Sequence, residues 1–277
     1  IPQVHVQLDN NTNWSWDKQR LQLIRDKRTL ADAAVDGIIP SKNLPTREKL
    51  CQDSLKALRD WKKRALEGKI TMINREDLTL PLRPEIIEYL RPSLGDFSKM
   101  NQKWSVTRSE KTFKRLQSDP KEWFYYHQMY AEKRKDWDEI PYEVIAKKID
   151  KRPDWIVADM GCGENLLSKE IKNKVHAFDF YSNDDDVVQC DMKNVPLDSD
   201  SVDVVVFCLA LMAPNYLDHL KEGHRILRTY SKMFICQPYK KMEGKIDKFK
   251  SEIEELGFSV DHKTSSQKFV YFDCTKN

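Results

Sequence analysis

The stretch WIVADMGCGEN, 155–165, runs from apolar residues into Asp159, then Gly161-Cys162-Gly163 and Glu164. Two glycines one residue apart after a strand-like run let the backbone turn tightly and approach a ligand closely. A dinucleotide site would carry a third glycine three positions on, with a helix N-terminus facing pyrophosphate. That position is Leu166. Asp159 and Glu164 flank the turn, and two carboxylates there repel a pyrophosphate. S-adenosylmethionine has no phosphate and carries a cationic sulfonium and an ammonium, so it suits this turn better. A structural turn without a ligand is the alternative.

Other residues fall where such a site needs them. VHAFDF places Asp179 at the end of a second strand, eighteen positions after Gly161, where an acid can grip two ribose hydroxyls. QCDMKNVPL supplies Asp191, able to accept from an adenine amino group, and Met192, a soft apolar face for the ring. FCLALM, 207–212, ends a further strand at the sheet edge where ligands of nucleotide-binding folds sit, with Cys208 able to line the site. The cofactor-binding residues expected from these patterns are therefore Asp159, Gly161, Gly163, Asp179, Asp191, Met192 and Cys208.

The elements that must position them alternate. Strands are predicted at 155–158, 175–178, 187–189, 202–207, 233–236, 258–261 and 269–273, and helices at 165–172, 215–227 and 246–256, the last stopped by Gly257. Such alternation implies an α/β fold with a mostly parallel, Rossmann-like sheet. A closing antiparallel strand pair in place of a final helix marks the class I methyltransferase variant. Residues 1–100 read as a helical appendage, with helices at 16–34 and 46–66 and punctuation by Pro40, Pro45, Pro81 and Pro84. The domain proper is expected over 101–277. Between them, 101–142 is basic and aromatic, including WFYYHQMYAEKRKDW at 123–137. Rings at helical spacing beside Lys133, Arg134 and Lys135 could stack on bases and hold phosphates, although such rings are more often core.

Composition bounds the rest. At 277 residues the chain can bury a large core, and 33% charged residues give it a very polar surface. Its net charge of +3 is too small to decide a partner. The six cysteines form no CxxC pair, which argues for reduced thiols of an intracellular protein and against a metal site. No apolar run approaches the ~20 residues of a membrane span, and no signal-peptide pattern opens the chain. It begins with Ile1, as a processed product or a segment of something longer would.

VADMGCGE, VHAFDF, CDMKNVPLDSDSVDVVVFCLALM and the helix ending in HRIL, with DPKEWFYYHQMYAEKRKDWDEIPYEVI upstream, together resemble the ribosomal RNA-processing protein 8 (nucleomethylin) family of S-adenosylmethionine-dependent methyltransferases. The resemblance spans roughly the last 165 residues and leaves the first hundred unexplained. It implies methylation of adenine N1 in large-subunit ribosomal RNA, a nuclear or nucleolar location, and cofactor contacts from His127, Gly161, Asp179, Asp191, Met192 and Cys208. No Asp/Asn-Pro-Pro-aromatic turn for exocyclic amines follows the fourth strand, where the chain reads CLALMAPN. That agrees with a ring nitrogen as acceptor, which needs no catalytic acid or base. The chain departs from the family at Thr229-Tyr230-Ser231, where Pro-Gly-Gly is usual, at Gln237-Pro238-Tyr239, where a glutamate is, and at Ala213-Pro214-Asn215, where Gly-Thr-Asn is. The turn before the fifth strand and the substrate side of the pocket are thus expected to differ. Two readings stay open beside RNA methylation: a methyltransferase module of a larger protein acting on DNA or another RNA, and an inactive cofactor-binding scaffold that docks a protein partner through its N-terminal helices.

Overall fold

A computed structural model of the protein describes residues 73–277, so the helices expected at 16–34 and 46–66 lie outside the described residues. Among the described residues a 3-10 turn (Arg75–Asp77) and five α-helices precede the sheet: α1 (Pro84–Leu94), α2 (Phe97–Val106), α3 (Ser109–Ser118), α4 (Lys121–Arg134) and α5 (Pro141–Ile149). Proline at the start of α1 and of α5 suits a position whose N–H would be unbonded anyway, and Asp96 caps α2 by accepting from the Lys99 N–H at 2.8 Å. Then follow β1 (Ile156–Met160), α6 (Leu166–Glu170), β2 (Lys174–Asp179), β3 (Val187–Gln189), β4 (Val202–Cys208), α7 (Tyr216–Ile226), β5 (Leu227–Pro238), α8 (Tyr239–Met242), α9 (Ile246–Glu255), β6 (Phe258–Ser265) and β7 (Phe269–Lys276).

The strands form one sheet in the order β3-β2-β1-β4-β5-β7-β6. β1 to β5 run parallel, whereas β7 pairs antiparallel with both β5 and β6. This is the expected mostly parallel sheet with its closing antiparallel pair. Both faces are covered, which is why the strands read as continuous apolar runs. Along β4, Val205 and Phe207 enter one core with Leu220 and Phe249, while Val204 and Val206 enter the other with Ile145 and Leu167.

β5 is longer than the expected 233–236. Its register against β4 jumps from Val202↔Leu227 to Val204↔Lys232, and Tyr230 in the intervening bulge is left-handed at φ 63° and largely exposed. A bulge thus replaces a glycine turn and lets the strand begin directly at the end of α7. α6 is shorter than the expected 165–172, because Ile171 turns extended (φ −115°, ψ 157°) and buries its side chain.

The helices before the sheet share a third core. Ile73, Leu78 and Ile86 bury together with Trp104, Trp123 and Phe124, so the boundary expected at residue 100 runs through a packed layer. Residues 122–128 of α4 are all buried, hence this first part of the aromatic run is core, whereas Tyr130 and Trp137 beyond it are only partly buried. Glu122 fastens this layer. Its carboxylate accepts from Lys103 Nζ and Trp104 Nε1, each at 2.6 Å, and from Arg115 Nη2 at 2.9 Å. Burial alone would raise the Glu122 carboxyl; the bonds from Arg115, Lys103 and Trp104 outweigh it and hold the group below its ordinary value.

Replacing Glu122 with Ala should cost about 2–3 kcal/mol, since it strands a buried indole N–H and a half-buried guanidinium. A carboxyl with a lowered pKa stabilises the fold above its unfolded value and loses that contribution as pH falls. The gap between wild type and E122A in urea denaturation should therefore be wide at pH 7 and narrow on acidification below the glutamate range.

Candidate active site

The strand order reverses between β1 and β4, and a crevice opens at their carboxyl ends. The glycine turn closes one side of it. Gly161 and Cys162 both donate N–H bonds to Phe178 O, at 2.8 and 2.9 Å, which ties the turn to β2. Gly161 (φ 81°) and Gly163 (φ 57°) adopt left-handed conformations, and a Cβ on either would sit 2.6 Å from Ala210 Cβ or His127 Cε1 respectively. Sterics and backbone conformation both demand glycine there.

Asp179, at the end of β2, meets three parts of the fold. Its Oδ1 accepts from Trp123 Nε1 of α4 and its Oδ2 from the Gly163 N–H, both at 2.8 Å. Burial raises the Asp179 carboxyl, opposed by the hydrogen bonds from Trp123 and Gly163. Asp159, on β1, is pushed up to about 7 by burial, with the charge of Asp179 adding. His127 packs against the Trp123 ring, centroids 4.2 Å apart, and burial pushes it down to about 3. The imidazole is therefore neutral at physiological pH.

These groups line a pocket of about 1020 Å³, including its open mouth, together with Met192, Cys208 and Glu164. Of the residues expected at a cofactor site, His127, Asp159, Gly161, Gly163, Asp179, Met192 and Cys208 all face it. Asp191 does not. Its carboxylate accepts from Ser109 Oγ at 2.7 Å and from the Lys193 N–H at 3.2 Å. Ser109 in turn exchanges bonds with Asn215, so α3 is latched against the loop before α7.

Sequence reasoning did not assign several lining residues. Thr112 Oγ1, His127 Nδ1 and both nitrogens of His219 are buried in the lining without a hydrogen-bond partner. His219 Nε2 stops 3.6 Å from Asp191 Oδ1. Such atoms are costly unless a ligand satisfies them. Arg134 leaves its exposed neighbours to meet Glu164 Oε1 at 3.4 Å and to lie over the Tyr130 ring. Thr112 and His219 carry no local signal. Trp123 did carry one, because a donor-only indole in a buried helix must find an acceptor.

Comparison with known proteins agrees with this geometry. A family model described as a hypothetical methyltransferase matches residues 87–277. Ribosomal RNA-processing protein 8 of Arabidopsis thaliana is 34% identical over 205 residues, covering 71% of this chain and 71% of that protein. The Mus musculus protein of the same name is 37% identical over 163 residues, 58% of this chain but only 35% of the relative. The 25S rRNA (adenine(645)-N(1))-methyltransferase of Saccharomyces cerevisiae is 27% identical over 285 residues, 87% of this chain and 71% of that protein.

A carboxyl whose pKa is raised by folding favours the fold below its unfolded value of 3.8 and loses that contribution as pH rises toward about 7. Asp159→Asn cannot ionise, so it should melt above the wild type at pH 8, and by a smaller margin at pH 5, in paired thermal scans.

Proposed function

The chain belongs to the ribosomal RNA-processing protein 8 family of methyltransferases, and on that premise we propose that it transfers a methyl group from S-adenosylmethionine to N1 of an adenine in large-subunit ribosomal RNA. With that substrate, the compartment proposed is the nucleus, at the nucleolus. The observation that carries the proposal is the pocket beside the glycine turn, which combines the buried carboxyl of Asp159, the partly buried carboxylates of Asp179 and Glu164, a neutral histidine and unpartnered polar atoms.

The donor set fits this cofactor. When bound, S-adenosylmethionine supplies an electrophilic methyl group on a sulfonium. Each Asp179 oxygen uses one lone pair on Trp123 or Gly163 and keeps another for a ribose hydroxyl. Asp159 and Glu164 supply negative charge beside the turn, and a neutral His127 adds no repulsion to a cationic ligand. Met192 offers an apolar face to the adenine ring, with Cys208 and Leu209 beyond it. Asp191, in this reading, positions Ser109 at the pocket wall and does not touch the ring.

An adenine N1 carries an in-plane lone pair and loses no proton on methylation, so the chain needs no general base. Tyr126 and Tyr130 suit that requirement: burial raises both phenols, which stay protonated. What remains for the protein is to hold the base in line with the methyl group and to exclude water. Since N1 lies on the pairing edge, the target must be unpaired or extruded.

Calorimetric titration with S-adenosylhomocysteine should show binding that Asp179→Ala weakens at least tenfold and Asp179→Asn, which keeps one acceptor oxygen, weakens less. Methylated ribosomal RNA should then arrest reverse transcription at one adenine. Cofactor binding with no methyl transfer to RNA would move the scaffold reading forward. A cation favours the ionised form of Asp159, so affinity for S-adenosylmethionine should fall as pH drops below about 7, and Asp159→Asn should flatten that dependence.

A further inference from the structure

A second, wider groove adjoins the pocket just described. Tyr126, Tyr130, Leu209, Met212 and Ala213 line both, so the two are continuous across the carboxyl edge of β4. The groove measures about 2600 Å³ with its open side, against about 1020 Å³ for the pocket. That is more space than one base fills, and it suits a short length of strand.

Its chemistry is lopsided. Lys240, Lys241, Lys245, Lys248 and Lys268 all line it, against the single carboxylate of Glu252. Glu252 is already engaged, accepting from Tyr216 OH at 2.6 Å and meeting Lys248 at 3.7 Å. Lys268 is tied to Asp136 O and lies near Asp138. Lys241 donates to Leu211 O at 2.9 Å, and burial together with Lys245 pushes it down to about 8. Among the described residues neither Lys240 nor Lys245 has a carboxylate partner. Crowded, unneutralised cations along a groove are unfavourable alone and favourable beside a polyanion.

The floor is aromatic. Trp137 sits between Phe269 and Tyr130, with ring centroids 4.8 and 5.4 Å away, in the same groove. Gln237, at the carboxyl end of β5, is 1% exposed, lines the groove, and has a side-chain Nε2 with no partner. A buried amide left unsatisfied costs free energy, and an amide matches the donor and acceptor edge of a base. Aromatic surface, lysines and a buried reading group are the parts of a single-stranded nucleic-acid site.

We propose that this groove seats the acceptor strand of the RNA: Lys240 and Lys245 hold phosphates flanking the target, and Gln237 reads the base that enters toward the cofactor pocket. The proposal rests on the methyltransferase reading above. It adds a substrate path and a specificity residue to it.

The test uses the full chain with a short oligouridylate carrying one central adenosine. In Lys240→Ala/Lys245→Ala, affinity for this RNA should fall at least tenfold, and the slope of log K against log salt should shrink by about 1.4, for two lost contacts at roughly 0.7 each on single strands. Affinity for S-adenosylhomocysteine should not change. Gln237→Leu, which removes the unsatisfied amide, should keep the melting temperature and cofactor affinity yet lower kcat/KM on the oligonucleotide tenfold or more. Wild-type RNA affinity and salt slope in the double variant would overturn the phosphate assignment, and wild-type kcat/KM in Gln237→Leu would overturn the reading role. Failure of the methyltransferase reading looks different: the unmutated protein would then bind no S-adenosylhomocysteine, whatever its affinity for RNA.

Discussion

The partly buried carboxylate of Asp179 is the interaction on which the site depends. One oxygen is held by the indole of Trp123, the other by the backbone of Gly163, so a single side chain joins the helical layer, the glycine turn and the second strand. Burying a carboxylate is costly unless donors surround it, and both donors here are fixed by the fold. The consequence is mutual. The helices before the sheet cannot shift without stranding Asp179, and the turn cannot open without releasing it.

The glycine turn shows the same economy. Its two N–H bonds to Phe178 O leave the chain little freedom, and the left-handed glycines bring Ala210 and His127 into close approach. That closeness buries His127, which loses its charge, and Asp159, which is raised toward neutrality. Their pKa shifts are products of packing, and they leave the pocket suited to a cationic ligand with few fixed charges facing it.

From this pocket the crevice continues over the end of β4 into the lysine-rich groove, and the two differ in kind. Carboxyl groups outnumber the single Arg134 in the first, and lysines outnumber the single Glu252 in the second. The proposed transfer from a cationic cofactor to an RNA strand uses such a division, with Tyr126, Tyr130 and Met212 forming the wall that the two cavities share.

Much of the fold was legible because it rests on local patterns. Apolar runs between turns marked all seven strands, and the Gly161-x-Gly163 spacing and the acid ending β2 pointed to residues that line the candidate pocket. Expectation and structure part where geometry depends on neighbours, at the bulge at Tyr230 that extends β5 and at the carboxylate of Asp191, which is held by Ser109, whereas the core reading of the aromatic run holds over 122–128. The sequence by itself determined which segments are strands and helices and where a close backbone approach must occur, since period and glycine spacing are short-range properties. Only the tertiary structure decided that Trp123 would serve Asp179, 56 positions away, that His127 would be buried by Gly163, and that lysines from α8, α9 and the β6–β7 turn would share one groove with Gln237. Those meetings depend on how elements pack, and packing is set by the whole core at once.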